Sequence, residues 1–497
     1  MSIPAGPTAT LAAFASSLDA ATIPPEAGHA AARLLLDTLG CMLGGAETAV
    51  GRLIRAWVDI SVGGGPGTGG AGATIVGTPA LAAPLFAGYV NARAAAVLDA
   101  DETYPSDRQT SHLAAATVAA AMAVLEDRLA TRADLLAAIV AGYEVGARIS
   151  DSMVPAEGNA GRGLRAGWGP GSVLGATAAA GRAAGLAPGP LAHALGIAGT
   201  HIGPPPLQWA DGGPASMAKT ADAGWHALTA IAAAGMAALD ATGYDRILDG
   251  ERGLWRALGY AAGDAATATD RLGVRWIVAE ASFKRWPCQY WMHPALTALW
   301  RILEDEGIHA DEIEAIELAT NDKSLAPRFT DPEPAGEIDR AFSFPHAAAM
   351  LALHVPAGPG WSDEARARDP AVRRLRGLVR VERHPEADRV AEWVVDHQIR
   401  ELPARATIHA RGTTHVVETR FGLGNPWSEE TRLSDDALVA KFLEMTASSG
   451  SPESEDASLT RRDAIVRWTL AAPLDAPIRD LTALLHPSRP ATPTEVR

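Results

Sequence analysis

Residues 98–112 read Leu-Asp-Ala-Asp-Glu-Thr-Tyr-Pro-Ser-Asp-Arg-Gln-Thr-Ser-His, a polar run between two Ala-rich helical patterns. The run is rich in carboxylates and ends at His112. It is too polar for a hydrophobic core and too short for a linker between domains. Two interpretations are open: a solvated acidic loop that ends where a helix begins, or carboxylate and imidazole groups held at the mouth of a helical bundle for proton transfer.

Length and composition restrict the class of protein. A chain of 497 residues suggests two or more domains, and a hydrophobic content of 47% is enough for large cores. The net charge of −15 argues against nucleic acid as a partner, although a local basic cleft can still bind an anionic substrate. Abundant alanine favours helices that approach one another closely.

The cysteines and the apolar stretches indicate a cellular compartment. Cys41 and Cys288 are the only cysteines. They indicate a reducing environment without structural disulfides, and they exclude a cluster held by three or four thiolates of this chain. No Cys/His spacing resembles a zinc site. The absence of a signal-peptide pattern and of a membrane-spanning apolar stretch predicts a cytoplasmic protein that does not bind membranes.

The first 275 residues predict many helices and no pair of strands. Apolar residues recur at helical spacing in windows that mostly end at Gly or Pro. The predicted helices cover residues 29–43, 47–60, 112–126, 131–149, 171–184, 188–199 and 214–239. Thr78 and Pro79 are interpreted as the start of a further helix that leads to Asp99. Thr131 and Asp134 resemble a capping box.

The pattern changes at about residue 276. Residues 312–320 and 378–383 are interpreted as strands. Residues 406–410 and 413–421 flank Arg411-Gly412 as in a β-hairpin. This part of the chain therefore predicts an α+β fold.

The predicted organisation is a mainly α protein with two domains. Residues 276–424 form the smaller α+β domain. Helical patterns at residues 435–445 and 463–470 then return the chain to the first domain. We therefore expect residues 1–275 and 425–497 to form one discontinuous all-α domain.

Four stretches together resemble one protein family. They are residues 32–41 (Ala-Arg-Leu-Leu-Leu-Asp-Thr-Leu-Gly-Cys), 99–103 (Asp-Ala-Asp-Glu-Thr) followed by His112, 284–288 (Lys-Arg-Trp-Pro-Cys), and 433–442 (Leu-Ser-Asp-Asp-Ala-Leu-Val-Ala-Lys-Phe). Their order along nearly the whole chain makes the sequence similar to the MmgE/PrpD family, which includes 2-methylcitrate dehydratase, cis-aconitate decarboxylase and iminodisuccinate epimerase.

The resemblance implies a large helical domain, a smaller α+β domain and a homodimer. It also implies a site between the domains that acts on a small carboxylic acid and uses neither a metal nor a cofactor. The residues that fall on the family's site positions are Asp99, Thr103, His112, Lys219 and Lys284.

Three positions depart from the family pattern. Gly169 precedes Pro170 where members often have His, Asp222 replaces the His of a Lys-x-x-His motif, and His346 lies where many members have Tyr. Asp222 lies about one helical turn after Lys219 and is expected to pair with it. Such a pair would lower the positive charge of the site, so we hypothesise a substrate with fewer carboxylates than a tricarboxylate.

The family reactions share the removal of a proton from a carbon next to a carboxylate or its vinylogue. This step needs a base near the carbon and groups that stabilise an enolate-like charge. Asp99 or His112 is the expected base, with the other as acid toward a leaving hydroxyl. His112 is the better acid because the unperturbed pKa of imidazole lies near neutrality. Lys219 and Lys284 are expected to hold substrate carboxylates as point charges.

The remaining candidates each have a structural alternative. Thr103 is explained as well by a turn hydroxyl as by substrate contact. His293 is either a substrate ligand or a satisfied histidine at the start of a helix, and Arg285 is a further candidate for substrate binding. Asp101 and Glu102 are interpreted as solvated or capping residues.

The predicted function is a cofactor-independent lyase acting on a carboxylic acid, most like 2-methylcitrate dehydratase. A decarboxylase or an epimerase passes through the same carbanion-like intermediate, so both alternatives stay open. A non-catalytic or repurposed scaffold is the alternative of another class, because the usual histidines are absent at Gly169 and Asp222.

Overall fold

The computed structural model describes residues 6–62, 72–156, 169–202, 215–220, 222–447 and 455–486. Long helices dominate both ends of the chain, and a four-stranded sheet lies between them in sequence. The prediction of a mainly α fold with a smaller α+β part is confirmed. None of the helices in these residues combines the length and apolar character that a membrane crossing requires.

A bundle of helices forms the first part of the chain. They are α1 (Pro7–Ser17), α2 (Pro25–Ala46), α3 (Ala49–Val62), α4 (Pro84–Val97), α5 (Ala114–Leu125), α6 (Arg132–Ser152), α7 (Pro170–Ala184), α8 (Pro188–Gly199) and α9 (Asp222–Ala237). Almost every side chain of α5 is buried, because α5 packs against α4, α6, α7 and α9. A helix that is apolar on all sides has to lie inside a bundle, and α5 is therefore its centre.

α6 and α7 cross more closely than side chains would allow. A Cβ atom added at Gly142 of α6 would lie 2.8 Å from the carbonyl oxygen of Gly175 on α7, and one added at Gly175 would lie 2.6 Å from that of Gly142. Contacts this short are not tolerated, so glycine is required on both sides of the crossing.

The capping box that was predicted at the start of α6 is confirmed. The Asp134 carboxylate accepts the Thr131 N–H at 3.0 Å, and the Thr131 hydroxyl accepts the Asp134 N–H at 3.4 Å. Gly185 ends α7 with a φ of 72°, in the left-handed region that glycine adopts most easily.

Two predictions for this part of the chain are wrong. α4 begins at Pro84 and not at Pro79, because the Thr78 hydroxyl closes a turn by donating to the Ile75 carbonyl and accepting the Ala80 N–H. Short strands also pair where none were expected: β1 (Ala73–Thr74) with β2 (Leu81–Ala82), β3 (Tyr104–Pro105) with β4 (Thr110–Ser111), and β5 (Met153–Val154) with β6 (Ala262–Gly263). Two residues are too few to show an alternating pattern in sequence.

The middle of the chain contains short helices and the larger sheet. The helices are α10 (Leu254–Ala257), α11 (Ala265–Thr269), α12 (His293–Glu306), α13 (Pro327–Thr330), α14 (Glu337–Arg340), α15 (Phe344–Ala352), α16 (Glu364–Ala367) and α17 (Pro370–Gly377). The strands are β7 (Ile313–Thr320), β8 (Val379–Arg383), β9 (Val394–Val395), β10 (Gln398–Ile399), β11 (Ala404–Ala410) and β12 (Thr413–Thr419).

The sheet has the strand order β12-β11-β7-β8, in which β7 and β8 are parallel and the other neighbours antiparallel. Arg411 and Gly412 join β11 to β12 with φ values of 55° and 68°. Positive φ at both central residues is typical of a two-residue hairpin turn, so the predicted hairpin is confirmed. α12 packs against β11 and β12.

The C-terminal helices contact the first part of the chain. They are α18 (Asp435–Thr446), α19 (Glu455–Ala471) and α20 (Ile478–Leu485). α18 and α19 pack against α2, and α20 packs against α19. The boundaries of the discontinuous domain at residues 275 and 425 stay a prediction.

Candidate active site

The polar segment of residues 98–112 connects α4 to α5 and contacts the α+β part. The Thr103 N–H donates to the Ser282 carbonyl at 2.9 Å. Asp99 has a φ of 51°, a left-handed conformation that is uncommon outside glycine. Asp101 and Glu102 are buried together with these two residues. The interpretation of this stretch as a solvated acidic loop is therefore wrong.

Asp99 lies between Lys219 and Lys284. Lys219 Nζ lies 3.2 Å from Asp99 Oδ2. Lys284 Nζ donates to Asp99 Oδ1 and also, at 2.9 Å, to the main-chain carbonyl of Asp99. Asp101 supplies a second carboxylate, and its Oδ1 lies 3.7 Å from Lys284 Nζ. The structure thus brings three of the predicted site residues into one ion-pair cluster.

The cluster is almost closed to solvent, and its charges stabilise one another. Side-chain exposure is 5% for Asp99, 5% for Lys219 and 0% for Lys284. Burial alone would raise the pKa of Asp99, but the two ammonium groups outweigh it and hold that pKa well below its usual range. Burial would lower the pKa of Lys284, but Asp99 and Asp101 outweigh it and raise that pKa. Asp99 is therefore ionised at neutral pH and is a weak base.

Lys219 is held by both parts of the fold. It lies in a 3-10 turn, Met217–Thr220. The sequence predicted one long helix over residues 214–239 instead. Residues 214 and 221 of that range lie outside the described residues. Arg93 of α4 donates to the Met217 carbonyl. The Lys219 ammonium lies 4.7 Å from the centroid of the Phe342 ring, just before α15, as in a cation–π contact.

His112 contacts the same segment through one ring nitrogen. Its Nδ1 lies 2.8 Å from the Glu102 carbonyl, 3.5 Å from Asp101 Oδ2 and 3.5 Å from the Thr103 hydroxyl. Because a carbonyl oxygen can only accept, Nδ1 carries the proton and the lone pair of the neutral ring lies on Nε2. Burial lowers the pKa of His112, with Asp101 opposing the shift. The neutral form therefore dominates at neutral pH.

Glu102 connects this segment to α5. One carboxyl oxygen accepts the N–H groups of Leu113 and Ala114 at 3.0 and 2.9 Å, and the other accepts the Tyr143 hydroxyl at 2.8 Å. Burial raises the pKa of Glu102 to about 8, against the opposing effect of these hydrogen bonds. The capping role expected for Glu102 is present, and it places His112 next to the first turn of α5.

Arg93 and Tyr143 were missed as contributors to the site, and each left a signal in the sequence. Arg93 is the one charged residue of α4 and is buried, and Tyr143 is a buried aromatic residue whose hydroxyl needs a partner. Charged residues are seldom buried without a specific contact, so an Arg inside an Ala-rich helix is informative.

Two of the departures from the family pattern lie close to the site segments. A Cβ added at Gly169, before α7, would lie 1.4 Å from Gln109 Nε2, so the Gln109 side chain occupies the space of the missing side chain. Asp222 is the first residue of α9. Burial raises its pKa to about 6, while the charges of Lys219 and Arg93 lower it. Because the charges of Lys219 and Arg93 both act on Asp222, the predicted pairing of Asp222 with Lys219 stays a hypothesis.

The other candidates are engaged with residues outside the Asp99 cluster. Arg285 forms a two-bonded ion pair with Glu444 at 2.8 and 3.0 Å. His346 lies 2.7 Å from the Trp361 carbonyl, and burial lowers its pKa to about 4. His293 accepts the Trp286 N–H at 3.4 Å, and burial, together with the charge of Lys284, lowers its pKa to about 3. Of these three residues, His293 is the one whose pKa is shifted by a member of the cluster, Lys284.

A separate cleft of about 270 Å³ is lined in part by residues that contact the polar segment. Asp151 and His397 are among its lining residues. Asp151 accepts the Tyr104 hydroxyl at 2.7 Å, and His397 Nδ1 lies 3.4 Å from Asp107. The cleft does not include Asp99 or the two lysines.

The fold and this cluster define the class of the protein. It is a two-domain, mainly helical protein in which lysines, a carboxylate and a histidine meet between the helical and the α+β parts. The MmgE/PrpD N-terminal domain matches residues 9–263, and the MmgE/PrpD C-terminal domain matches residues 286–465. The chain therefore belongs to the MmgE/PrpD family, a family of dehydratases and related lyases. No curated protein matches the chain.

Proposed function

We propose that the protein is a lyase that removes a proton next to a carboxylate of a small organic acid, most like 2-methylcitrate dehydratase. The observation that carries the proposal is the cluster in which Lys219 and Lys284 share the carboxylate of Asp99, with His112 bound to the same segment. Two ammonium groups beside an imidazole supply the groups that this proton transfer requires.

His112 is the proposed base. Its neutral ring carries the lone pair on Nε2, because Nδ1 donates to the Glu102 carbonyl. After it takes the proton, the imidazolium is stabilised by Asp101, which lies 3.5 Å from Nδ1. Asp99 is less suited to this role, because the two lysines stabilise its ionised form. This assignment reverses the preference for His112 as an acid that the sequence favoured.

Lys219 and Lys284 are proposed to stabilise the charge that develops on the substrate. As the C–H bond breaks, its electron pair moves toward the carboxylate and forms an enolate-like anion. In a dehydration the electron pair of this anion then forms a C=C bond as the C–O bond of the neighbouring carbon breaks, and the departing hydroxide takes a proton and leaves as water. The imidazolium of His112 can supply that proton. Thr103 is proposed to contact the substrate because it falls on one of the family's site positions. Its hydroxyl lies 3.5 Å from Nδ1 of His112, the nitrogen that does not take the proton.

The charge balance of the cluster supports the hypothesis of a substrate with few carboxylates. Asp99 and Asp101 face the two lysines, so the ligand-free cluster has little net positive charge. A tricarboxylate would bring three negative charges to it. A high specificity constant for citrate-like tricarboxylates that is lost in Lys219→Ala would contradict this hypothesis.

The first experiment follows C–H exchange in deuterated water with a panel of hydroxy acids, dicarboxylates and tricarboxylates. We expect exchange and water loss with at least one acid, and a severe loss of both in Asp99→Asn and in His112→Ala while each variant still folds. His193→Ala is the matched control, because His193 also contacts a carbonyl through Nδ1, that of Gly243 at 3.1 Å.

The outcomes separate the alternatives. Loss of CO₂ or inversion of configuration, in place of water loss, would assign a decarboxylase or an epimerase. Wild-type rates in both site variants would contradict the site. No exchange and no thermal stabilisation by any acid would favour the non-catalytic scaffold. The homodimer also stays a prediction, and light scattering should give twice the mass of one chain.

A further inference from the structure

A third buried lysine, Lys441, contacts the backbone of the polar segment from the opposite end of the chain. Lys441 lies on α18 and is 2% exposed. Its Nζ donates to the Ala100 carbonyl at 2.8 Å, across 341 sequence positions. It also donates to Asp37 Oδ1 of α2 at 2.5 Å. A C-terminal helix therefore holds the residue that directly follows Asp99.

Asp37 is the partner that makes a buried ammonium tolerable here. The Asp37 side chain has no exposed area, and that of Lys441 has 2%. An unpaired buried charge is strongly unfavourable, whereas a hydrogen-bonded pair is tolerated. The charges of Asp101 and Lys284 also act on Asp37, so the pair lies close to the cluster.

Two lysines thus bind two consecutive carbonyl groups. Lys284 Nζ lies 2.9 Å from the Asp99 carbonyl oxygen, and Lys441 Nζ lies 2.8 Å from that of Ala100. Asp99 is the residue with a φ of 51°. A non-glycine residue keeps this conformation only where its surroundings hold it. Lys284 belongs to the predicted reaction site, whereas nothing in the family resemblance assigned a role to Lys441.

We propose that Lys441, neutralised by Asp37, is a positioning residue that holds the turn at Asp99–Ala100 and so directs the Asp99 carboxylate between Lys219 and Lys284. The proposal rests on the proposed function for its effect on turnover. It gives the C-terminal helices a role in the site: α18 supplies the cation, α2 supplies its counter-charge, and the Ala100 carbonyl in the turn after α4 accepts from the cation.

The test uses the full-length chain and two variants of the pair. Lys441→Met removes the donor but leaves Asp37 unpaired and buried, so it can fail to fold. The double variant Lys441→Met/Asp37→Leu removes both charges together and keeps the volume similar. Arg132→Met is the matched control, because buried Arg132 also donates to a backbone carbonyl, that of Thr469 on α19 at 2.8 Å, and joins α6 to the C-terminal helices.

Two measurements separate positioning from general stability. The first is kcat and KM for the acid that the wild-type protein turns over. The second is hydrogen–deuterium exchange of the Thr103 amide, which donates to the Ser282 carbonyl and lies three residues after Ala100. We expect the double variant to lose roughly 10- to 100-fold in kcat with a smaller change in KM, because a displacement of about 1 Å is enough for such a loss. We also expect faster exchange at Thr103, and neither effect in Arg132→Met.

A folded double variant with wild-type kcat and wild-type protection of Thr103 would overturn the proposal. The same would follow if Arg132→Met loosened Thr103 equally, since the effect would then be general. If the wild-type protein turns over no acid, the proposed function fails by itself. The exchange of Thr103 then decides whether Lys441 holds the turn.

Discussion

Lys284 Nζ binds Asp99 twice, at the carboxylate and, at 2.9 Å, at the main-chain carbonyl, although 185 positions separate the two residues. One ammonium group thereby fixes both the backbone and the side chain of Asp99. Lys284 comes from the start of the α+β part, and Asp99 lies two residues after the end of α4. The contact therefore joins the two parts of the fold at the proposed site.

Loss of this contact should cost stability as well as activity. Lys284→Met leaves the carboxylates of Asp99 and Asp101 buried with one cation fewer, so we expect the free energy of unfolding to fall by about 3–5 kcal/mol. Lys219→Met should cost less, because Lys284 still neutralises Asp99. Urea unfolding measures both. Lys323→Met is the control, since Lys323 Nζ also lies over an aromatic ring, 4.4 Å from the centroid of Trp291. Equal losses in all three variants would contradict the prediction.

The pH dependence of turnover should identify the base. Burial lowers the pKa of His112 below its ordinary value of 6.5. If neutral His112 takes the proton, kcat/KM rises with pH through this lowered pKa and is constant at neutral pH. An acid in the same position would give the opposite slope. The measurement is kcat/KM from acidic to neutral pH in the wild-type protein and in His193→Ala. A rate that falls across the pKa of His112 would assign it as the acid instead.

The pH dependence of stability should report Glu102. Burial raises its pKa to about 8 from an ordinary value of 4.5. Between these values the folded protein keeps a proton that the unfolded chain releases. Its contribution to stability is therefore present at low pH and is lost as the pH rises toward 8, with a slope of at most about 1.4 kcal/mol per pH unit.

Glu102→Gln removes this titration, so its free energy of unfolding should fall less between about pH 6 and about pH 8 than that of the wild type. Urea unfolding at the two pH values measures the difference. Glu430→Gln is the control because the Glu430 side chain is 76% exposed. An unchanged slope in Glu102→Gln would contradict the assignment.

The space at Gly169 should be coupled to Gln109. Gly169→Ala places a methyl group where Gln109 Nε2 lies, so we expect a destabilisation of about 1–3 kcal/mol. The double variant Gly169→Ala/Gln109→Ala should recover part of this loss, because the second change vacates the same space. A double-mutant cycle by urea unfolding measures the coupling. Additive losses would show that the two side-chain positions do not compete.

The residues of the proposed cluster could be named before the fold was known, but their contacts could not. The polar run at 98–112 lies between two Ala-rich helices, and such a run needs a specific reason to exist in an apolar surrounding. Its interpretation as a solvated loop failed because solvent exposure depends on what packs over the segment. Here Ser282 and Lys284, far along the chain, cover it.

The secondary structure was also predictable only in part. Helices such as α5 and α7 and the β11–β12 hairpin were predictable because their periodicity and their turn residues are local properties of the chain. The start of α4 was not, since the Thr78 hydroxyl favours a turn through contacts with Ile75 and Ala80 that compete with helix capping. The two-residue strands carry too little pattern to be recognised.

The sequence by itself determined the mainly α class, the smaller α+β part, the family and the identities of Asp99, His112, Lys219 and Lys284, because these depend on local periodicity and on residue types in a fixed order. The tertiary structure alone decided that Nδ1 of His112 is the protonated nitrogen, that Gln109 fills the space at Gly169, and that Lys441 binds the Ala100 carbonyl. These depend on the direction of side chains in the folded chain, over separations that range from 10 positions for His112 and Glu102 to 341 for Lys441 and Ala100. Burial then sets the cost of each unpaired charge, and so decides which of these groups stay ionised.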